Sequence, residues 1–401
     1  MNRICPHFGL VPVGLQLAPD ARGGVSQAKA PDVILVGGTI SLTGSFAAEA
    51  APFKKMMENW AEMVNAKGGI PLKGYGKALP LKFIIYDDGS KPDDAAKLYE
   101  KLVIEHDVHV LLGPYSSWMT VQASAVGEKH QIPFIAVEAN ASMLYQRGFK
   151  WLVGATDSGL KWSYHYFDML KAEGKAKSIA FIVEDTPHPK EVAAGSIPKS
   201  REIGLRVTLE ESFSISTQDF TPIISKVKAA DPDIVYVSTY HARAALFHKQ
   251  ALQRGLSPRE FHYIHHGSAL RESVGAKNAA FVTGENWWMP GIKGGPNVPE
   301  FEELLKKTGI AVQDYPESPL RFMGFEILRA ALERAGTLDS HKLMAALKGL
   351  AIISISGSLK IDPTTGQGSR NPFPTQIQDG KYVTLWPPVY ATGKHTYPRP
   401  L

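Results

Sequence analysis

The amino-acid sequence predicts an α/β protein with two lobes, each a doubly wound, mainly parallel sheet. Three observations lead there. At 401 residues the chain exceeds one ordinary core, since domains cluster at about 100–200 residues. From Pro31 onward, short apolar runs alternate with longer segments of helical spacing, the pattern of βα units. The alternation also occurs twice, in one series up to Val137 and a second after Asp157.

In the first series Val33–Gly37 reads as a buried strand and Ala47–Lys67 as a helix ended by Gly68-Gly69, where glycine accepts the left-handed conformation of a helix cap. Leu81–Tyr86 is the next strand, closed by Asp87-Asp88-Gly89. A helix over Pro92–Glu105 leads to the strand Val108–Leu112, then a turn through Gly113–Ser117, a helix over Thr120–His130 and a fourth strand, Pro133–Val137. The second series places helices at Leu160–Glu173, Pro189–Ile203, Phe220–Ala230 and Ala242–Arg254. Its strands are Ser178–Val183, Arg206–Phe213, Ile234–Ser238 and His262–His265. Two amphipathic helices, Leu320–Ala335 and His341–Leu350, cover one of the lobes, and Tyr382–Trp386 is a last strand. Residues 391–401 read as a disordered tail.

Composition narrows the function. Hydrophobic residues make up 44% and charged residues 21%, and no stretch approaches the ~20 apolar residues that span a bilayer. The net charge of +5 is spread thinly, with no run of five Lys/Arg, so there is no footprint for nucleic acid. One cysteine, Cys5, excludes an intrachain disulfide and a cysteine-based zinc site. Residues 1–29 carry Arg3, an apolar stretch over Ile4–Ala18 broken by Pro6, His7, Pro12 and Gln16, and Ser26-Gln27-Ala28. They read as a secretory signal peptide or a disordered start.

In open parallel sheets, ligands bind beyond the carboxyl ends of strands, which selects a few loops. The first, Gly37–Phe46, ends in Ser45 and Phe46 and is neither a dinucleotide fingerprint nor a phosphate loop. After the third strand stand Ser116, Ser117 and Trp118, able to hold a carboxylate or amide oxygen or simply to cap a helix. After the fourth come Glu138, Ala139 and Asn140, a carboxylate and an amide in an apolar loop, with Asn140 also suited to a cap. The second lobe offers His188, Tyr240, His265, His266 and Gly267. Adjacent His265 and His266 point to opposite faces in extended chain, and no third ligand lies at metal spacing, so no metal is expected. Trp287-Trp288 lines a cleft or belongs to the core. No Gly-x-Ser-x-Gly elbow occurs, and an enzyme is not expected.

Several motifs are similar to the branched-chain amino-acid and amide family of periplasmic binding proteins, the substrate-capturing components of ABC importers. They are Ser41–Gly44 before a long helix, Val64–Ile70, Tyr86-Asp87-Asp88, Leu112–Ser117, Gln146–Phe149 and Pro232–Val237. Their order and spacing carry the resemblance, over roughly residues 31–390. It implies the type I periplasmic binding protein fold, in which the chain crosses between lobes three times, near Ala155, Asn286–Met289 and Ser354–Gly357. Lobe 1 then comprises 30–155 plus 288–355, and lobe 2 comprises 156–287 plus 356–390. The resemblance places ligand contacts at Ser117, the Glu138–Asn140 loop and Ser45 or Phe46 on one lobe, and at His188 or Pro189, Tyr240 and Gly267 on the other. The acid that holds an amino acid's ammonium group in such binders aligns with Gly267, and an aromatic residue aligns near Pro189, so aliphatic amino acids fit poorly. The implied function is capture of a small polar solute (amino acid, amide or aromatic carboxylate) by a monomeric periplasmic protein that serves an inner-membrane ABC permease and needs no cofactor. The alternative is a cytoplasmic sensor of the same fold.

Overall fold

The computed structural model describes residues 31–400; the reading of residues 1–29, Cys5 included, lies outside them. Two large sheets organise the chain. The first contains Leu81–Asp87, Ile34–Ile40, Val110–Leu112, Phe134–Ala136 and Leu152–Gly154 in that spatial order, all parallel. The second runs Lys381–Thr384, Phe373–Gln378, Thr283–Asn286, Glu260–Tyr263, Ile234–Ser238, Ser178–Glu184 and Arg206–Phe213. Successive pairs among its first three strands are antiparallel, and the pairings from Thr283–Asn286 onward are parallel. In both sheets the first strand of the series lies between the second and the third. That leaves a crevice at the carboxyl end of the first strand, where open α/β sheets bind ligands.

Local sequence explains most of these elements. The expected helix Ala47–Lys67 is two, Ala47–Ala50 and Pro52–Ala66, because Pro52 has no N–H to continue the first and starts the second. Phe53, Met56, Met57, Trp60, Met63 and Val64 are buried along one face, and Gly68 and Gly69 leave the helix at φ 95° and 88°. The late helix Ser318–Ala335 packs on this same face, with Phe325 stacked on Trp60 at 4.6 Å. Helix Val298–Thr308 joins it through Asn59 Nδ2 to Thr308 Oγ1 at 3.1 Å and Trp60 Nε1 to Glu300 Oε1 at 2.9 Å. The late helices thus cover the first sheet.

The structure departs from the sequence reading in four places. Leu152–Gly154 adds a fifth strand to the first sheet, and Thr283–Asn286 and Phe373–Gln378 extend the second. The pair Thr283–Asn286 and Phe373–Gln378 has no apolar run to betray it: its polar residues satisfy one another, as in Asn286 Nδ2 to Thr375 Oγ1 at 2.7 Å and Thr283 Oγ1 to Glu260 Oε1 at 2.6 Å. Helices Ser268–Ala279 and Val298–Thr308 were also unread. Ser354–Gly357 is the turn of a β-hairpin. Further on the chain runs beside residues 152–157, where Gly154 N–H donates to Gly366 O and Asp157 N–H to Arg370 O, each at 2.9 Å.

The tail is the fourth departure. Residues 391–400 are packed rather than disordered: His395 is buried between Glu260 and Glu173, each at 2.9 Å, and Arg399 N–H donates to Arg259 O. A buried carboxylate at position 260 needs a positive partner, and the tail supplies it. Among the described residues no helix is long and apolar enough to cross a membrane.

Candidate functional site

The carboxyl-end loops of the two sheets face each other and are joined by hydrogen bonds. From the first sheet, the Glu138–Asn140 loop follows Phe134–Ala136, and Asn140 Oδ1 lies 2.6 Å from His188 Nδ1 at the start of helix Pro187–Glu202. Glu317, which precedes helix Ser318–Ala335, places Oε1 at 2.8 Å from His241 Nε2 and 3.1 Å from His265 Nδ1. Glu49 Oε1 accepts from Ala242 N–H at 3.1 Å, and Ser142 Oγ donates to Glu191 Oε1 at 2.7 Å. This is a closed arrangement of two lobes.

Between them Tyr115, Glu138, Asn140, Thr156, Trp162, His188, Tyr240, His265, Glu317 and Leu320 line a cavity that leaves only about 20 Å³ for the centres of water-sized molecules, about one water. A solute therefore enters only if the lobes part. Tyr115 Oη, Glu138 Oε1, Asn140 Nδ2, Thr156 Oγ1 and Trp162 Nε1 are buried without a hydrogen-bond partner among the described residues. Such groups are costly to strand, and here they cluster on one cavity. Its walls are aromatic: Trp162 meets His188 edge-on at 4.7 Å, Tyr240 stacks on His265 at 5.6 Å, and Phe46 contacts Tyr240 at 5.1 Å and Tyr115 at 5.5 Å. A larger, open groove of about 620 Å³ lies around Gly349–Ser369; Asp362 there is exposed and no buried charged group converges on it.

The electrostatics are those of paired charges. Burial raises the Glu138 carboxyl to about 7, against the pull of the Arg321 guanidinium that bonds it. Burial also raises Glu317, but His241 and His265 outweigh it and hold that carboxyl well below the usual range. His241 is raised: burial lowers it, and Glu317 and Glu49 more than compensate. Burial and the neighbouring His265 push His188 down.

Of the residues singled out in sequence, Glu138, Asn140, His188, Tyr240 and His265 line the cavity. Ser117 does not cap its helix: its Oγ accepts from Asn140 N–H at 3.1 Å and Ala141 N–H at 3.2 Å, so it positions the Asn140 loop. Ser116 does not cap either; it sits at φ 86°, ψ 156°, a region costing a non-glycine residue roughly 1–3 kcal/mol and found at functional sites. Asn140 is not a cap, since the following helix starts at Ser142 after Ala141. Trp118 packs edge-on against Phe46 at 6.2 Å. Ala139 is buried, and its carbonyl accepts from Tyr145 Oη. Ser45 and Phe46 line a neighbouring space of about 270 Å³ with Tyr240, Glu184 and Arg243. His266 points away, edge-on to Tyr382 at 4.7 Å, and Gly267 sits against His241 and Asp314; neither lines the cavity.

Tyr115, Thr156, Trp162, Glu317 and Leu320 were missed. Glu317-Ser318-Pro319 reads as an ordinary helix start, and Trp162 as part of the helix read over Leu160–Glu173, so neither carries a local signal. Trp287 resolves as the neighbour of Trp162 at 5.3 Å, whereas Trp288 packs on Phe301. The expectation that His265 lacks further metal-type neighbours is corrected: His241, His265 and Glu317, far apart in sequence, bring one donor atom each within 4.8 Å of one another.

Known proteins share this architecture. The chain is 24% identical over 383 residues to the Leu/Ile/Val-binding protein homolog 7 of Brucella suis biovar 1, covering 91% of this chain and 94% of that one. The leucine binding protein LivK of Thermotoga maritima superposes with a TM-score of 0.75 at 18% identity, over 88% of this chain and 98% of that chain. A solute binding protein of an R. palustris ABC transporter, solved in complex with 4-hydroxybenzoate, gives 0.75 at 19% identity, over 91% and 98%. These likenesses establish the type I periplasmic binding protein fold. The family described as periplasmic binding protein matches residues 33–381, and the chain belongs to it.

Proposed function

We propose that this protein is the solute-capturing component of an ABC importer, acting in the periplasm and handing its cargo to an inner-membrane permease, and that the cargo is a planar aromatic carboxylate. The observation that carries this reading is the set of stranded polar groups on an aromatic-walled cavity between two hydrogen-bonded lobes. Donors at Asn140 Nδ2, Trp162 Nε1, Tyr115 Oη and Thr156 Oγ1 suit carboxylate oxygens, while Tyr240, His188 and Trp162 suit a ring face or edge. An aliphatic amino acid is disfavoured because a buried ammonium needs a carboxylate whose charge is not already paired; Glu138 keeps a free Oε1, but its other oxygen is paired with Arg321, and Glu317 is bonded to two histidines. The R. palustris proteins solved with 4-hydroxybenzoate and with benzoate give the ligand class a precedent on this fold.

Capture follows from differential contact: a solute that bridges both sets of loops stabilises the closed form, which the permease recognises. Residues 29–401, screened by thermal shift against benzoates, amino acids, aliphatic amides and urea, are expected to respond to the benzoates. A shift with amino acids alone defeats the ligand assignment, and silence across all classes defeats capture. Tyr240→Ala, which removes a ring at the centre of the cavity wall, is expected to weaken the responding ligand by about 100-fold, a hot-spot loss. N-terminal sequencing of the native product, with a start near Lys29, tests the periplasmic assignment against a cytoplasmic one.

A further inference from the structure

His241, His265 and Glu317 have donor atoms within 4.8 Å of one another, and all three side chains are buried. The two nitrogens lie 2.8 and 3.1 Å from the same carboxylate oxygen. For an ion bound tetrahedrally at ~2.0–2.1 Å, neighbouring ligand atoms stand about 3.3 Å apart; the two nitrogen–oxygen distances are close to that, and the set, which spans up to 4.8 Å, would draw in slightly around a zinc-like cation.

A second observation points the same way. Glu49 is buried, with 5% exposure, and its Oε2 has no partner among the described residues. It lines a small cavity of about 10 Å³ together with His241 and Glu317. Two carboxylates, two neutral imidazoles and one divalent cation sum to zero.

The ligands also come from opposite sides of the cleft. Glu49, in helix Ala47–Ala50, and Glu317, before the late helix that packs over the first sheet, belong to one lobe. His241 opens helix His241–Gln253 and His265 follows strand Glu260–Tyr263, both in the other. We propose that His241, His265 and Glu317 hold a divalent cation of the zinc class, with Glu49 closing in from the adjoining small cavity, and that the ion fastens the two lobes together beside the solute cavity. Borderline cations such as Zn²⁺, Co²⁺ or Ni²⁺ suit this mixed nitrogen and oxygen set better than Mg²⁺ or Ca²⁺, which prefer oxygen alone.

The test uses the full chain stripped with EDTA and titrated with Zn²⁺ by calorimetry in the absence of any solute. One ion per chain, a rise in melting temperature and a decrease in radius of gyration by X-ray scattering are expected. Glu317→Gln and His241→Gln should each weaken binding by about 100-fold or more, beyond the 10–100-fold typical of outer-sphere changes. The surface substitution His130→Gln should change nothing. Co²⁺ bound to the wild-type chain reports the site without any variant, through a visible absorption band and displaced by Zn²⁺. Absence of saturable Zn²⁺ binding by the wild type, or binding that survives both substitutions, overturns the proposal. Either failure leaves solute capture standing, because that is read by the solute screen alone.

Discussion

Arg321→Met is expected to lose stability steadily up to pH 8, by about 1.4 kcal/mol per unit, whereas Glu138→Gln is expected to cost about 1 kcal/mol or less at pH 6 and to lose none with pH, although both break the same buried pair. The side chains of Arg321 and Glu138 are 0% and 2% exposed. Among the described residues the Arg321 guanidinium hydrogen-bonds, besides Glu138, only to the Gly113 carbonyl, at 3.3 Å, and its Nε has no partner. Glutamine keeps an oxygen that accepts from Arg321, as the protonated carboxyl does, and Arg321 itself cannot shed its proton. Removing the guanidinium strands a carboxyl that can take one up, since burial already holds it at about 7 with Arg321 present. A carboxyl raised in the folded state makes that state bind more protons than the unfolded chain, whose value is 4.5. Stability then falls as pH rises above 4.5, by about 1.4 kcal/mol per unit until the folded value is reached. In Arg321→Met that value is higher still, so the variant should lose stability steadily between pH 5 and 8, whereas the wild type stops falling near pH 7 and Glu138→Gln, which lacks the group, does not fall on this account. Urea unfolding at pH 5, 6.5 and 8 checks this. Equal penalties with equal pH dependence would refute the asymmetry.

Changing His395 to glutamine is expected to cost roughly 3 kcal/mol at pH 6 and little at pH 9.5. His395 is buried and bonded to Glu260 and Glu173. Burial alone would lower its pKa, but the two carboxylates outweigh it and raise it from 6.5 to about 9. The folded state therefore binds the extra proton. The stabilisation is fully present below about 6.5 and is lost as pH rises toward 9. Wild-type stability should fall across that window, and the fall should vanish in His395→Gln. A disordered tail would leave both proteins alike at every pH, so denaturation at pH 6 and 9.5 separates the two pictures.

The sequence by itself determined the layer architecture, because burying a strand in a parallel sheet demands an apolar run and covering it demands a helix of 3.6-residue period. Ile234–Ser238 and Arg206–Phe213 sit where their β-branched runs put them. The loop rule also selected Glu138, Asn140, His188 and Tyr240, since the carboxyl ends of strands are set by chain order alone. Tertiary structure decided what pairing across the molecule supplies. The polar strands Thr283–Asn286 and Phe373–Gln378 are recognisable only by the partners that satisfy them. Ser117 turned from a cap into a brace because Asn140 lies across from it, and the tail became ordered because Glu260 needs a cation. Glu317 joined His241 and His265 only when a late helix returned to the first sheet and aimed its start at the opposite lobe. Such convergences join residues dozens of positions apart, and the energy of a buried charge depends on neighbours that local sequence does not name.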